Sequence, residues 1–197
     1  MPFHLHTGDL MNCYRFIMSS LFCLTFFSSA AAVDLQHGIH GMRWGAPISE
    51  HSKLKKIRET DRISYYVNPE MIYRASNQPV TAVIYGFYED RLFAVFIKLH
   101  TPDQFNNLKR HFSAKYGKPK SEFNPQNRQS VYRWKDGDIK IKLKMIEPNR
   151  EFKLGMYYSP LAERLNDEQF ENIPDDVFSP SPSETGKTVN SAPLFDK

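Results

Sequence analysis

The strictest pattern in this sequence is an alternation of apolar and basic residues between positions 138 and 145. The alternating residues are Ile139, Lys140, Ile141, Lys142, Leu143, Lys144 and Met145. A period of two places the apolar side chains on one face of a β-strand and the lysines on the other. The dipeptide Asp136-Gly137, a strong signal for a two-residue hairpin turn, precedes the run. The run therefore predicts an antiparallel hairpin with one buried face and one basic face.

The basic face of this hairpin is the predicted binding surface. A turn made by Asp136-Gly137 pairs Arg133 with Lys140 across the two strands. Like charges directly opposite each other destabilise a sheet, so a sheet that keeps them is expected to present them to an anionic partner. The predicted binding residues are Arg133, Lys140, Lys142, Lys144 and Lys153, the last of them if the next strand is adjacent. The alternative is an ordinary solvated face, in which lysines protect edge strands against aggregation.

Four further segments predict strands. Ile63–Val67 and Met71–Ala75 predict a first hairpin, and Val80–Tyr88 and Leu92–Leu99 predict a second. Both strands of the second hairpin are nearly continuous apolar and aromatic runs, which are typical of central strands covered on both faces. Because most connections are hairpins, we expect an antiparallel sheet.

Two main helices are predicted beside this sheet. The clearer one begins with a capping box formed by Thr101 and Gln104. The other begins at Ser49, with Leu54 and Ile57 as a narrow apolar stripe. A helix followed by strands therefore occurs twice. This order predicts an α+β fold with both main helices on one face of the sheet, and it is consistent with a tandem duplication.

The first 32 residues have the pattern of a secretory signal peptide. Arg15 precedes an apolar run at 16–27, and three alanines end at Ala32, where cleavage is predicted. The alternative is a retained anchor, but a bilayer requires about 20 apolar residues. We therefore expect a signal peptide at 1–32, an α+β domain at 33–160, and a periplasmic or secreted location.

Both cysteines, Cys13 and Cys23, lie within the predicted signal peptide. The remaining chain therefore offers no disulfide, thiol nucleophile or cysteine metal site. Cys23 follows Phe22, whereas a lipoprotein signal has a small residue before its cysteine. Lipidation is therefore not expected.

The charge of the chain is divided between two regions. Residues 34–160 carry 22 Lys and Arg against 13 Asp and Glu, whereas residues 161–197 carry 3 against 8. The second region predicts a short C-terminal helix at 161–171 and a disordered acidic tail at 172–197. The basic face can meet either this acidic segment or an external anion. For an exported protein, the external partner is expected to be a lipid headgroup, lipopolysaccharide or an acidic protein rather than nucleic acid.

Histidines near the start of the predicted mature chain are the weak candidates for a metal site. His37, His40 and His51 lie in or near a glycine-rich segment without supporting carboxylates or thiolates. The preferred interpretation is that Met42 and Trp44 pack under the sheet while the glycines turn the backbone, with no metal and no cofactor. The sequence contains no catalytic serine elbow, zinc-protease motif or phosphate loop. A metal-dependent or other hydrolase with a histidine site is the alternative function.

Two short motifs carry a resemblance to known domains. They are Gly41-x-x-Trp44-Gly45 and the helix end Tyr116-Gly117-Lys118-Pro119. With these motifs the chain resembles small exported bacterial α+β domains of unknown function, and it is similar to the outer-membrane assembly lipoprotein class and to β-lactamase-inhibitor-like domains. The resemblance implies a binding or assembly module rather than an enzyme. The expected function is an exported, non-enzymatic, envelope-associated module whose basic sheet face meets an anionic partner.

Overall fold

The computed structural model describes residues 35–75, 77–165 and 190–195 of the 197-residue chain. The strands in these ranges are β1 (Lys55–Thr60), β2 (Ile63–Val67), β3 (Met71–Ala75), β4 (Gln78–Pro79), β5 (Ala82–Tyr88), β6 (Arg91–Leu99), β7 (Lys120–Asn124), β8 (Gln129–Asp136), β9 (Ile139–Ile146), β10 (Glu151–Tyr158) and β11 (Asn190–Pro193). The helices are α1 (Pro102–Tyr116) and α2 (Ser159–Ala162), and a 3-10 turn covers Ile48–Glu50. The predicted signal peptide and residues 166–189 lie outside the described residues.

Eight of the described strands form one antiparallel sheet in the order β1-β2-β5-β6-β10-β9-β8-β7. This order consists of two four-stranded meanders whose last strands, β6 and β10, pair at the centre. The predicted antiparallel sheet is therefore confirmed, and strands dominate the described chain more than the predicted α+β fold implies. No helix in the described ranges is long and apolar enough to cross a membrane.

Different elements cover the two faces of this sheet. On one face, the α1 face, Phe112 of α1 shares a core with Leu154 of β10. On the other, the α2 face, Leu161 of α2 shares a core with Phe96 of β6. Strands β5 and β6 are buried on both faces, which confirms the prediction from their continuous apolar runs. The capping box of Thr101 and Gln104 is formed at the start of α1.

The helix predicted at Ser49 is absent from the described residues. A 3-10 turn of three residues is followed by β1, an edge strand paired with β2. Leu54 and Ile57 are too few to hold an amphipathic helix against the sheet, and short helices need such packing. Pairing with β2 satisfies the backbone of this segment instead. The expected pair of main helices on one face is therefore wrong: α1 lies on one face, and the four-residue α2 lies on the other.

The hairpin of β8 and β9 is confirmed, but its register differs by two residues from the prediction. Asp136 pairs with Ile139, so the turn residues are Gly137 and Asp138. Gly137 has a φ of 55°, which suits the first central position of a two-residue turn. Arg133 consequently lies opposite Lys142 rather than Lys140. Because a shift by two keeps every side chain on its face, the predicted apolar and basic faces are preserved.

Contrary to the prediction, β3 does not pair with β2. It lies in a second sheet of order β11-β3-β4, in which β11 runs parallel to β3. β11 falls in the tail that was predicted to be disordered, and that prediction is wrong for residues 190–195. The tail is polar in its average composition, but it contains Leu194, which lies in the core of the α1 face, and Phe195, which packs against that core. Leu194 is 2% exposed.

The segment from Leu35 to Ala46 packs beneath the α1 face. Met42 is buried there, and Trp44 packs against the same core while its Nε1 donates to the Leu35 carbonyl oxygen at 2.6 Å. The prediction that Met42 and Trp44 pack under the sheet is confirmed. Gly38 has a φ of 138°, and a Cβ at this position would lie 2.0 Å from the Met42 carbonyl oxygen. The turn therefore requires glycine.

Candidate functional site

Eight basic side chains lie together on the α2 face, across the five strands from β6 to β7 in the sheet order. They form three rows because residues directly opposite in neighbouring strands share a face. The rows are Lys98–Lys153–Lys144, Lys142–Arg133–Lys120 and Lys140–Lys135. We call these eight residues the cationic patch. From the spacing and rise of strands, neighbours in a row lie about 5 Å apart and the rows lie about 7 Å apart.

The patch contains all five residues proposed from the sequence. β10 lies beside β9, so Lys153 is directly opposite Lys144. Lys98, Lys120 and Lys135 join the patch without having been predicted. Lys135 lies two residues after Arg133 in β8, so the sequence shows that both side chains share a face. Strand β7, which carries Lys120, has no apolar periodicity and gives no such signal.

Carboxylates neutralise part of this charge. Among the described residues, three ion pairs reach the patch: Glu122 with Arg133 at 2.8 Å, Glu163 with Lys140 at 3.2 Å, and Glu151 with Lys153 at 2.9 Å. The first two pairs are exposed, and pairs of that kind contribute little to stability. On this face of the described strands, the eight cations predominate over the carboxylates of these three pairs.

The patch has an exposed side and a covered side. Lys142 is 8% exposed, and its neighbour in β10 is Gly155, whose open space is filled by the ring of Tyr157. The side chains of Arg133 and Lys140 are 39% and 45% exposed, and Lys120 and Lys135 are exposed as well. An anion in solution therefore meets the patch first through these four residues.

The three candidate metal-binding histidines do not come together at one site. Nδ1 of His40 lies 2.9 Å from the Tyr85 hydroxyl, and Nε2 donates to the Leu194 carbonyl oxygen at 3.1 Å. His51 lies beside Phe87, and its buried Nε2 has no hydrogen-bond partner in the described part of the chain. Across the described ranges, no three His, Cys, Asp or Glu side chains are grouped so that they could hold a metal ion.

His40 instead belongs to a buried polar network with two tyrosines. The hydroxyls of Tyr85 and Tyr73 are hydrogen-bonded at 2.7 Å, and the His40 ring stacks on Tyr73 with centroids 4.1 Å apart. Burial raises the pKa of Tyr85 well above its ordinary value and also raises the pKa of Tyr73. Both hydroxyls therefore remain protonated near neutral pH. The network joins β3 and β5 to the carbonyl of Leu194.

A cavity of about 540 Å³ opens beside this network. Its walls are the loop of residues 37–43, which includes His37 and His40, together with Asn68, Met71 and Tyr73 and the segment 192–194. The cavity thus lies between the start of the fold and the C-terminal strand. It is on the α1 face, away from the cationic patch.

The family model of the TP0088 domain matches residues 48–147, just over half of the chain. The chain belongs to the TP0088 domain family. The matched range holds β1 to β9, α1 and seven members of the cationic patch, whereas β10 with Lys153, and β11, follow it. The searches of curated proteins and of solved structures find no match.

Proposed function

We propose that this TP0088-domain protein is an exported, non-enzymatic binding module whose cationic patch binds anionic lipid headgroups or lipopolysaccharide of the bacterial envelope. The observation that supports this function is the pairing of like charges. In the described strands, five directly opposite pairs join two cations: Lys98 with Lys153, Lys153 with Lys144, Lys142 with Arg133, Arg133 with Lys120, and Lys140 with Lys135.

Such pairs cost stability in the free protein, because like charges opposite each other repel. A bound anionic surface relieves this repulsion and gains attraction from every cation near it. A lysine or arginine close to an anionic membrane contributes about 1 kcal/mol. Because the cations of the patch lie together on one face, we expect their combined attraction to give measurable, salt-sensitive binding.

The test is co-sedimentation of residues 33–197 with vesicles that contain anionic lipid or lipopolysaccharide, at low and at high salt. The variant neutralises three of the four solvent-facing residues of the patch, those on β8 and β9, by Arg133→Gln, Lys135→Gln and Lys140→Gln. Lys142 is left unchanged because it is buried, and its substitution would test folding as well as binding. At about 1 kcal/mol for each charge, the triple variant should bind roughly 100-fold more weakly.

A matched control removes the same charge from the opposite edge of the sheet, by Lys55→Gln, Lys56→Gln and Arg58→Gln in β1. If both triple variants lose affinity equally, binding follows net charge and the patch is not the site. If neither the parent nor the control binds vesicles, the lipid partner is wrong. Capture of an acidic envelope protein that the patch variant fails to capture would then assign a protein partner.

The acidic residues at 167–176 lie outside the described residues, and we propose that they compete for the patch. Deleting the tail would also remove β11, so the better variant neutralises the carboxylates in place. The substitutions are Asp167→Asn, Glu168→Gln, Glu171→Gln, Asp175→Asn and Asp176→Asn. Competition predicts tighter vesicle binding by this variant at low salt. Unchanged affinity would exclude competition and leave the binding function itself intact.

Export follows from the signal peptide proposed at residues 1–32. The expected mature chain begins at Val33, after Ala32. The intact mass of the protein purified from an envelope or periplasmic fraction tests this directly. A mass that retains the apolar run at 16–27 would contradict cleavage and favour a membrane anchor.

The proposal also includes a tandem duplication, in keeping with the resemblance to lipoprotein-class and inhibitor-like repeats. Its support is the sheet order, in which β1-β2-β5-β6 and β7-β8-β9-β10 meet at their last strands. If each half is one repeat, separately expressed halves divided between His100 and Thr101 should associate through β6 and β10. Two halves that are each folded but do not associate would argue against this.

A further inference from the structure

The edge of β3 is completed by a strand from far along the chain. β11 pairs with β3 through four successive residue pairs in parallel. Main-chain hydrogen bonds close both ends: Asn190 N–H donates to the Glu70 carbonyl at 2.9 Å, and Leu194 N–H donates to the Arg74 carbonyl at 2.7 Å. The small sheet has the order β11-β3-β4, so one edge of β3 is covered by this segment.

The side chains of this segment alternate between outside and inside. Ser191 and Pro193 are exposed, Ala192 is half-buried and Leu194 is buried. The next residue, Phe195, packs against the second half of α1. Its ring stacks on His111 at 5.8 Å and meets Phe112 edge-on at 5.5 Å. The segment is therefore anchored by two consecutive apolar residues.

Polar contacts set the position of the segment along β3. His40 Nε2 donates to the Leu194 carbonyl at 3.1 Å, and Arg74 Nε donates to the Ser191 hydroxyl at 2.8 Å. The 540 Å³ cavity runs beside Ala192–Leu194, so the groove is wider than the strand in it. A strand edge for main-chain bonds, with pockets for alternate side chains, is the arrangement by which proteins bind extended peptides.

We propose that β3, the loop of residues 37–43 and the second half of α1 form a groove that binds extended peptides by strand addition, and that residues 190–195 are its ligand supplied in cis. The partner that fits is an extended, uncharged segment with a small residue, a proline and two consecutive apolar residues, as in Ala192-Pro193-Leu194-Phe195. The native segment is joined to the body through the 24 residues 166–189. Covalent attachment keeps its local concentration high, so a partner peptide has to displace it.

The experiment separates the segment from the body without shortening the chain. A protease site is inserted between Gly186 and Lys187, and the folded protein is cleaved there. A fluorescent peptide of sequence Asn190–Lys197 is then titrated into cleaved and uncleaved protein, and its polarisation is measured. We expect saturable binding to the cleaved protein, at least tenfold tighter than to the uncleaved protein, because the native segment is then free to leave.

The matched control is the same peptide with Leu194→Ala and Phe195→Ala. It should bind at least tenfold more weakly, since both anchors are lost. Three results would overturn the proposal: both peptides bind alike, the cleaved fragment stays bound without exchange, or cleavage abolishes the near-UV circular dichroism of the body. The last two would make the segment an integral part of the fold.

Hydrogen exchange of the intact chain provides an independent readout. If residues 190–195 detach and return, the amides of Asn190 and Leu194 should exchange at least tenfold faster than those of β5 and β6. Equal protection of the amides in β11 and in the central strands would overturn the proposal that residues 190–195 are a releasable ligand.

Discussion

Leu194→Ala is the sharpest single test of the fold, because it acts on a residue whose burial no local pattern predicts. Leu194 is 2% exposed and lies in the core of the α1 face, beside the network of His40 and Tyr73. Truncation of a buried leucine to alanine costs about 2–5 kcal/mol, and more where the cavity cannot collapse. The segment can instead leave its groove, so the loss cannot exceed the free energy with which it docks. We therefore expect about 2–3 kcal/mol, in the lower part of that range.

Urea unfolding, followed by far-UV circular dichroism, measures this loss. For a chain of this size, about 2–3 kcal/mol corresponds to a decrease in Tm of roughly 4–12 °C. If the variant segment undocks in the native state, the m-value should also fall, because less surface is newly exposed on unfolding. The matched control is Ile72→Ala in β3, on the same small sheet but 40% exposed, with an expected loss below about 1 kcal/mol. A Leu194→Ala protein as stable as the Ile72→Ala protein would refute the docking of this segment.

Three further perturbations test the start of the fold, the buried network and a titrating histidine. Gly38→Ala should lower the free energy of unfolding by about 2–4 kcal/mol, because a Cβ there would lie 2.0 Å from a main-chain oxygen. Gly41→Ala, whose Cβ would have no atom within 4 Å, should lower it by about 1–2 kcal/mol in the same urea assay. Equal losses would contradict the steric argument. Tyr85→Phe should lower the free energy of unfolding by about 1–3 kcal/mol, since it removes the hydrogen bonds that the buried hydroxyl makes with His40 and Tyr73. A change below about 0.5 kcal/mol would exclude a stabilising role for this network. Burial and, to a smaller extent, the charge of Lys115 lower the pKa of His111 below its ordinary 6.5. The unfolded state therefore binds a proton at His111 more readily than the folded state does. The free energy of unfolding should consequently decrease as the pH falls through 6.5. This dependence should shrink in His111→Gln, and an unchanged pH profile would count against it.

The elements predicted correctly are those whose signals come from residues close to one another in the sequence. The capping box at Thr101 forms as expected, because its hydrogen bonds join residues within a single turn. The alternation in β9 predicted the faces of the hairpin, because side-chain direction in a strand depends on parity alone. The predicted register of the hairpin was wrong by two residues, yet Arg133, Lys140, Lys142 and Lys144 remained on one face. Five of the eight cations on this face were therefore predicted from the sequence, and the strand order brought in the others.

Other features depended on contacts between distant segments. β1 has polar residues and a weak helical stripe, and pairing with β2 determined its conformation. β7 carries no apolar periodicity and forms through pairing with β8.

The sequence by itself determined the antiparallel character, the covered central strands, the main helix and the parity of the lysines, because these follow from near neighbours along the chain. The tertiary structure alone decided that Lys98 and Lys120 join the patch and that the last described strand lies against β3. It also decided that α1 and α2 lie on opposite faces. The physical reason is that strand order and docking depend on which apolar surfaces meet after the chain closes long loops. Leu194 becomes a core residue because β11 docks beside β3 and brings it into the same core as Phe112 of α1, although the chain around Leu194 and Phe195 is otherwise polar or small.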